Sequence, residues 1–338
     1  MIVAAGLGSR LSPLTEFYPK PALPIRGIPL IAHGLTYLKS QGVTEVVINI
    51  HHLAEVLERT AREWCPKGIK LFFSHEDRLL GTGGGIGNNW DFLRESKPAV
   101  VIGGDMLIDF DLKPMLHQHQ NKEALATLLL KEDDRSLEFG SIGIDQLNCI
   151  RRVAQRFHVN DSMTDNGCRP SPKGRVSSEA RSGLYTWVNL IDPRAFDYLP
   201  KLKTFSHLDD WLLPILRTSP SSIQAWLAQG TSCSWQPVGT ILEYWNANLD
   251  PIKLSYSEQK QLQLKSTIDD KSQSIIGRNA IISPHATLDK MVIWDNETVP
   301  AGNYQNGIFA FGNFHKTPFS ARDFRRSTIG LRSFCRNL

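Results

Sequence analysis

Met1-Ile2-Val3-Ala4-Ala5-Gly6-Leu7-Gly8-Ser9-Arg10-Leu11-Ser12-Pro13-Leu14-Thr15 opens the chain, and Pro19-Lys20-Pro21-Ala22-Leu23-Pro24 follows shortly after. The apolar start predicts a short strand over Met1 to Ala5, with glycines directly behind it. Glycine leaves backbone amides bare, so an anion can approach Gly6 and Gly8 closely, and Arg10 adds a forked cation. Two prolines fix the backbone around Lys20 and lower the entropy lost in aiming it. Two glycines beside an arginine also occur in ordinary surface turns. The ordered series makes a phosphate cradle the better reading.

Outward from this turn, short apolar runs alternate with amphipathic segments, the pattern of a parallel sheet whose crossovers are helices. Leu30 to Gln41 is expected as a helix closed by Gly42, and Val43 to Ile50 as the next strand. Leu53 to Trp64 reads as a helix, Ile69 to Ser74 as a strand, and Ala99 to Ile102 as a buried strand ending at Gly103-Gly104-Asp105. Ligands of open parallel sheets sit beyond the carboxyl ends of the strands, so motifs at several such ends should meet in one crevice. The fold class expected is α/β, a Rossmann-like layered domain on a mixed, mostly parallel sheet.

This first unit is assigned residues 1–250. Around 160–180 the composition turns polar and predicts a surface insertion. A charged, serine-rich stretch, 251–272, reads as a linker. Ile276-Gly277-Arg278-Asn279-Ala280-Ile281 and Ile282-Ser283-Pro284-His285-Ala286-Thr287 then repeat with period six, which suits a short left-handed β-helix over 273–312. Two or three coils are too few to stand alone, so this segment should dock on the rest of the chain or pair with a second copy as a homo-oligomer. Residues 313–338 form a basic tail.

The 338 residues, 41% of them hydrophobic, suffice for a full core. The net charge of +4 is mild and gathers in the tail, at Lys316, Arg322, Arg325, Arg326, Arg332 and Arg336, which argues against a nucleic-acid partner. Cys65, Cys149, Cys168, Cys233 and Cys335 are scattered without zinc-ligand spacing and read as reduced thiols. No apolar run approaches the roughly 20 residues that span a bilayer, and the opening is too short for a signal peptide, so no membrane partner is expected and the cytoplasm is the expected address.

Gly-x-Gly-x-Arg-Leu-x-Pro-Leu-Thr followed by Pro-Lys-Pro-x-x-Pro closely resembles the signature of sugar-1-phosphate nucleotidyltransferases. Matches continue in the family's order at Gly27-Ile28-Pro29, Gly42-Val43-Thr44-Glu45, Gly81-Thr82-Gly83-Gly84-Gly85, Gly104-Asp105 and Val238-Gly239-Thr240. Within the family the chain is most similar to the mannose-1-phosphate guanylyltransferase and N-acetylmuramate-1-phosphate uridylyltransferase types. The resemblance implies that an NTP, GTP or UTP, meets a sugar 1-phosphate and pyrophosphate is released. By the same resemblance Ala5, Gly6, Gly8, Ser9 and Arg10 line the nucleotide, Gly81, Thr82 and Gly83 form a loop against its base, and Lys20 holds the reacting phosphate. Asp105 binds Mg²⁺, and Gly140 of Phe139-Gly140 approaches the sugar. Asp109 and Asp111 are weaker ligand candidates.

The sequence also departs from that pattern. Trp235-Gln236-Pro237-Val238-Gly239-Thr240 has proline where relatives carry a second metal aspartate, and Gly143 stands where many carry a sugar-binding glutamate. Gln155-Arg156-Phe157 replaces a frequent Glu-Lys-Pro, and Trp187 replaces the glycine of a Phe-Thr-Gly strand. Relatives also carry a few more residues ahead of Ile2, which predicts a start further upstream. The departures keep a second expectation open, a catalytically degraded relative that binds nucleotide and regulates or scaffolds a partner.

Overall fold

In the computed structural model, residues 1–133, 141–154, 157–158, 179–257 and 266–317 are described. Strand β1 (Ile2–Val3) is shorter than the Met1–Ala5 expected, because Ala4 N donates to the Asn49 side chain instead of to a neighbouring strand's backbone. A small hairpin, β2 (Pro24–Ile25) and β3 (Ile28–Pro29), leads into α1 (Leu30–Ser40). Gly42, at φ +86°, ends that helix in a backbone conformation that costs glycine nothing. Next come β4 (Glu45–Ile50), α2 (Ala54–Glu63), β5 (Lys70–His75), α3 (Gly81–Gly87), α4 (Trp90–Leu93) and β6 (Ala99–Gly103). The chain continues through β7 (Met106–Phe110), α5 (Leu112–Asn121), β8 (Ala126–Lys131), β9 (Ile142–Ile144), β10 (Ile150–Val153), β11 (Phe157–His158) and the long β12 (Arg181–Ile191). After α6 (Leu213–Thr218), β13 (Ile223–Ala228) and β14 (Cys233–Pro237), α7 (Ile241–Leu249) closes this part.

Ten strands make one mixed sheet, ordered β11-β10-β9-β12-β6-β1-β4-β5, with β8 on β12 and β13 on β8. β5, β4, β1 and β6 run parallel, as helical crossovers require, while β12 is antiparallel to β6, β8 and β9. Side chains alternate across a strand, so β4 serves two cores: Val46, Ile48 and Ile50 join the cluster under α1, and Val47 joins the one around Trp211 and Leu128. A separate ribbon, β7 with β14, sets Pro237 opposite Met106.

The expected linker, 251–272, is structured at both described ends, because apolar residues sit among its polar ones. Leu254 and Tyr256 enter the main core, and Ser255 donates from its amide and hydroxyl to Asp109. At the other end β15 (Thr267–Asp269) pairs with β16 (Ser274–Ile276). The coil follows as β17 (Ile281–Ile282), β18 (Ala286–Ile293), β19 (Thr298–Val299) and β20 (Gly302–Ala310), with Ile275 opposite Val292 and Val292 opposite Ile308 in parallel register. A turn of the coil thus takes 17 or 16 residues. Asn279 and Asn296, both at positive φ, stack at one corner with a 3.1 Å hydrogen bond. β21 (Asn313–Lys316) pairs with β20, so the stretch assigned to a tail begins as a strand.

This segment docks on its own chain. Trp294 meets Tyr18 and Tyr244 edge-on, Phe311 lies 4.6 Å from Phe17 between ring centroids, and the Trp245 indole donates to Lys290 O at 2.8 Å. Among the described residues no helix is long and apolar enough to cross a membrane. The polar stretch around 160–180 lies outside the described residues except for Glu179 and Ala180.

Candidate functional site

The crevice lies at the carboxyl ends of β1, β4, β5 and β6. Its wall begins at Gly8, whose φ of +66° favours glycine and whose Cβ would stand 3.0 Å from Lys20 Cβ and Thr15 Cγ2. Gly8 O accepts from the Thr15 hydroxyl at 3.1 Å and from Leu11 N at 2.8 Å, and His52 Nε2 sits 2.8 Å from Thr15 O. The turn is therefore held from behind. Ala5 is buried, Gly6 and Ser9 are exposed, and among the described residues nothing lies within 4 Å of a Cβ placed on Gly6.

Lys20 is buried but for 8% of its surface and ends on Asp105 Oδ2 at 2.6 Å. The Asp105 side chain keeps 43% exposure, so this carboxylate faces the crevice while the lysine reaches it from within. Gly103 and Gly104 make the approach possible: a Cβ on Gly104 would stand 3.1 Å from Val3 O. Asp105 O accepts from Val238 N at 2.9 Å, which ties the end of β14 to the end of β6. Arg10 is half-buried against Gly239; its Nη2 and Glu243 Oε2 each come within 3.1 Å of where a Cβ on Gly239 would stand. The structure thus brings Gly8, Arg10, Lys20 and Asp105 together around the 237–239 segment. Asp109 is engaged by Ser255, and Asp111 accepts from Lys113 N as the cap of α5, so neither faces this crevice as a ligand.

Beneath the turn lies a buried polar link that the sequence reading missed. Asn49, near the end of β4, accepts from Ala4 N at 2.8 Å and donates to Glu76 Oε1 at 2.8 Å, and Glu76 Oε2 accepts from Leu80 N at 3.0 Å. The signal was present: an asparagine inside an apolar strand must find partners when buried.

The glycine run at 81–87 requires a correction. It is a helix, α3, where a loop was expected, and Gly83 is buried. Gly83 N and Gly84 N both donate to Phe205 O, at 2.9 and 3.2 Å, so these amides are taken by the chain itself. A Cβ on Gly83 would lie 2.4 Å from the Phe205 ring, and one on Gly85 would lie 2.6 Å from Asn49 Nδ2. Close packing against 203–207 and Asn49 explains these glycines. Gly81 remains exposed, and the Thr82 hydroxyl accepts from His207 N at 3.1 Å. A cavity of about 590 Å³ opens beside α3, lined by His75, Asp77, Arg78, Leu202 and Lys203 among others, and takes no residue from the opening turn.

On the other side of Asp105 the wall is aromatic. Trp187 sits at φ +66°, and its Cβ comes within 3.3 Å of a Cβ placed on Gly103. Its indole lies 4.6 Å from the His207 ring and 5.5 Å from Tyr185. His207 bridges Tyr185 Oη and Thr82 Oγ1, and burial pushes it down to about 3, so it is neutral; burial also raises the Tyr185 phenol. At Gly143, a Cβ would collide with the Glu179 carboxylate, which pairs with Arg152 at 2.8 Å. A carboxylate therefore still stands beside position 143, though buried and committed to an arginine. Gly140, Gln155 and Arg156 lie outside the described residues.

A parallel floor with an open glycine turn, a buried lysine and an exposed carboxylate gathered at its strand ends defines an α/β protein with a charged crevice. Comparison with known proteins gives the family: residues 1–253 match the model of the nucleotidyl transferase family, and the chain belongs to it. It is 28% identical over 263 residues to a UTP–glucose-1-phosphate uridylyltransferase of Synechocystis, covering 73% of this chain and 61% of that protein. It is 25% identical over 314 residues to a mannose-1-phosphate guanylyltransferase of Mycobacterium tuberculosis, covering 89% of this chain and 81% of that one. The solved structure of HddC from Yersinia pseudotuberculosis shares the fold, with a TM-score of 0.56 at 22% identity over 73% of this chain and 96% of that chain.

Proposed function

We propose that this chain joins an NTP to a sugar 1-phosphate, releasing pyrophosphate and forming a nucleotide sugar. The observation that carries this reading is the Lys20–Asp105 pair at the end of β6, directly behind the Gly8 turn. In the reaction an oxygen of the sugar phosphate attacks the α-phosphorus. A new P–O bond forms, the bond to the bridging oxygen of the β-phosphate breaks, and that oxygen leaves with pyrophosphate. Two anions must meet, so positioning and charge neutralisation dominate the chemistry.

The amides of the exposed residues Gly6 and Ser9, with Gly8 between them, and the Arg10 guanidinium are suited to the triphosphate, and arginine's planar fork matches phosphate better than a point charge does. Lys20, fixed by burial, is placed to neutralise the reacting phosphate while Asp105 holds its ammonium in line. Gly81 and Thr82 border the base. Mg²⁺ is the divalent ion this chemistry uses, and Asp105 would hold it: one exposed carboxylate plus substrate phosphates is a common magnesium ligand set. When bound, the ion supplies charge neutralisation between the phosphates. Pro237, opposite Met106, offers no ligand, so Asp105 and the substrates would supply the set alone.

Guanylyl and uridylyl transfer are both represented among the relatives, so GTP and UTP are the donors to test first. Phosphorylated substrates do not cross membranes unaided, which supports the cytoplasm as the compartment of the proposed reaction. The test is a pyrophosphate-release screen of each NTP against hexose and heptose 1-phosphates with Mg²⁺. Release in one pairing identifies both substrates, and silence across the panel sinks the reading. Pro237 and Trp187 favour a second reading, a nucleotide-binding regulatory subunit; calorimetry showing NTP binding without release would select it.

A further inference from the structure

Among the described residues, Trp187 has no strand partner in its own sheet. β12 pairs with β9 through Arg181, Ser182 and Gly183 and with β6 from Val188 onward, and its register with β8 breaks between Tyr185 and Asn189. Trp187 stands in that break at φ +66°, a conformation that is costly for any bulky L-residue and cheap for glycine. Strain of this kind persists where surrounding contacts hold it, and it gathers at functional sites. Here the hold is explicit. The His207 ring packs against the indole at a 45° tilt, and His207 is itself fixed by Tyr185 Oη on one ring nitrogen and Thr82 Oγ1 on the other. A point 2.9 Å from Asp105 Oδ1 is only 3.3 Å from Trp187 Cβ, so the indole is rooted beside the carboxylate. The residue is nevertheless half-buried and keeps accessible surface.

Sheet order says which ligand meets it. The glycine turn and the Asn49–Glu76 link lie over β1, β4 and β5, on one side of β6; Trp187 lies over β12, on the other. A nucleotide seated on the turn leaves the β12 side to the second substrate, whose phosphate must reach Lys20 and Asp105. We infer that Trp187 is a specificity-determining residue that stacks its indole on the apolar C–H face of the acceptor's sugar ring, selecting the acceptor by shape where Gly143 offers no side chain. The inference rests on the transferase reading. Large aromatic surface presented in a fixed orientation gives such contact at little entropic cost.

The test compares wild type with W187G, W187L and W187F, using the substrate pair that the wild type turns over. The expected result for W187G and W187L is an acceptor KM raised tenfold or more with the NTP KM within twofold, while W187F stays within threefold of wild type. Acceptor binding should also quench indole fluorescence in wild type and not in W187F. An unchanged or lowered acceptor KM in the glycine and leucine variants, or quenching that survives in W187F, overturns the inference and leaves the transferase reading standing. Should W187G fail to fold, W187L and the quenching decide alone. A wild type silent with every pair overturns both.

Discussion

The two sides of Asp105 are built from different materials. Toward β1, β4 and β5 the cleft has small residues above and a buried polar link below: Gly6 and Gly8 face the opening, and Asn49 and Glu76 hold the backbone from underneath. Toward β12 and β9 it has Trp187, His207 and Tyr185, with Glu179 folded onto Gly143. The first side carries charge and amides and the second carries rings. On the proposed reaction the triphosphate is common to every nucleotidyl transfer, so the groups proposed to grip it are constrained, whereas the acceptor varies and the surface proposed to face it is free to differ.

Several changes would break or sharpen this contrast. Lys20→Ala or Arg10→Ala should lower turnover about a hundredfold or more with every acceptor, the scale of losing one preorganised charge stabiliser; unchanged initial rates would show that the grip lies elsewhere. Asn49→Ala should cost about 1–3 kcal/mol of stability in denaturant titration, because Ala4 N and the Glu76 carboxylate lose a buried partner. Acid should unfold the protein early. Burial pushes His33 down to about 4 and His207 to about 3, from an ordinary 6.5. Their contribution is complete above pH 6.5 and falls by about 1.4 kcal/mol per histidine for each unit below it, until the folded-state value is reached. Thermal melts between pH 7 and 4.5 read this slope, and H207Q should flatten part of it. The smallest effect expected is for Pro237→Asp, which should lower the Mg²⁺ concentration for half-maximal rate severalfold; no shift would mean that Asp105 and phosphate suffice.

The parallel floor was legible because β4 and β6 are largely apolar runs of strand length, β6 closed by glycine, and the helical segments α1 and α2 flank β4. Asp105 was legible because it follows such a run. The helix at Gly81–Gly87 was hidden: glycine is a poor helix former, and only the closeness of Phe205, Lys203 and Asn49, distant in sequence, explains why side chains are absent there. The break in β12 was equally invisible, since tertiary contacts from His207 and Gly103 decide it. The segment after Asp250 misled because three apolar residues, Ile252, Leu254 and Tyr256, were outweighed in composition by their charged neighbours.

The aromatic bracket of Phe17 and Tyr18 with Trp294 and Phe311 joins the loop ahead of Lys20 to strands made roughly 280 residues later. On a ribosome adding roughly 5–20 residues per second, the opening loop waits roughly 15 to 60 seconds for its brace. A nascent chain that has finished its sheet still lacks the support behind its opening loop. The first residues made are therefore among the last to be fully braced.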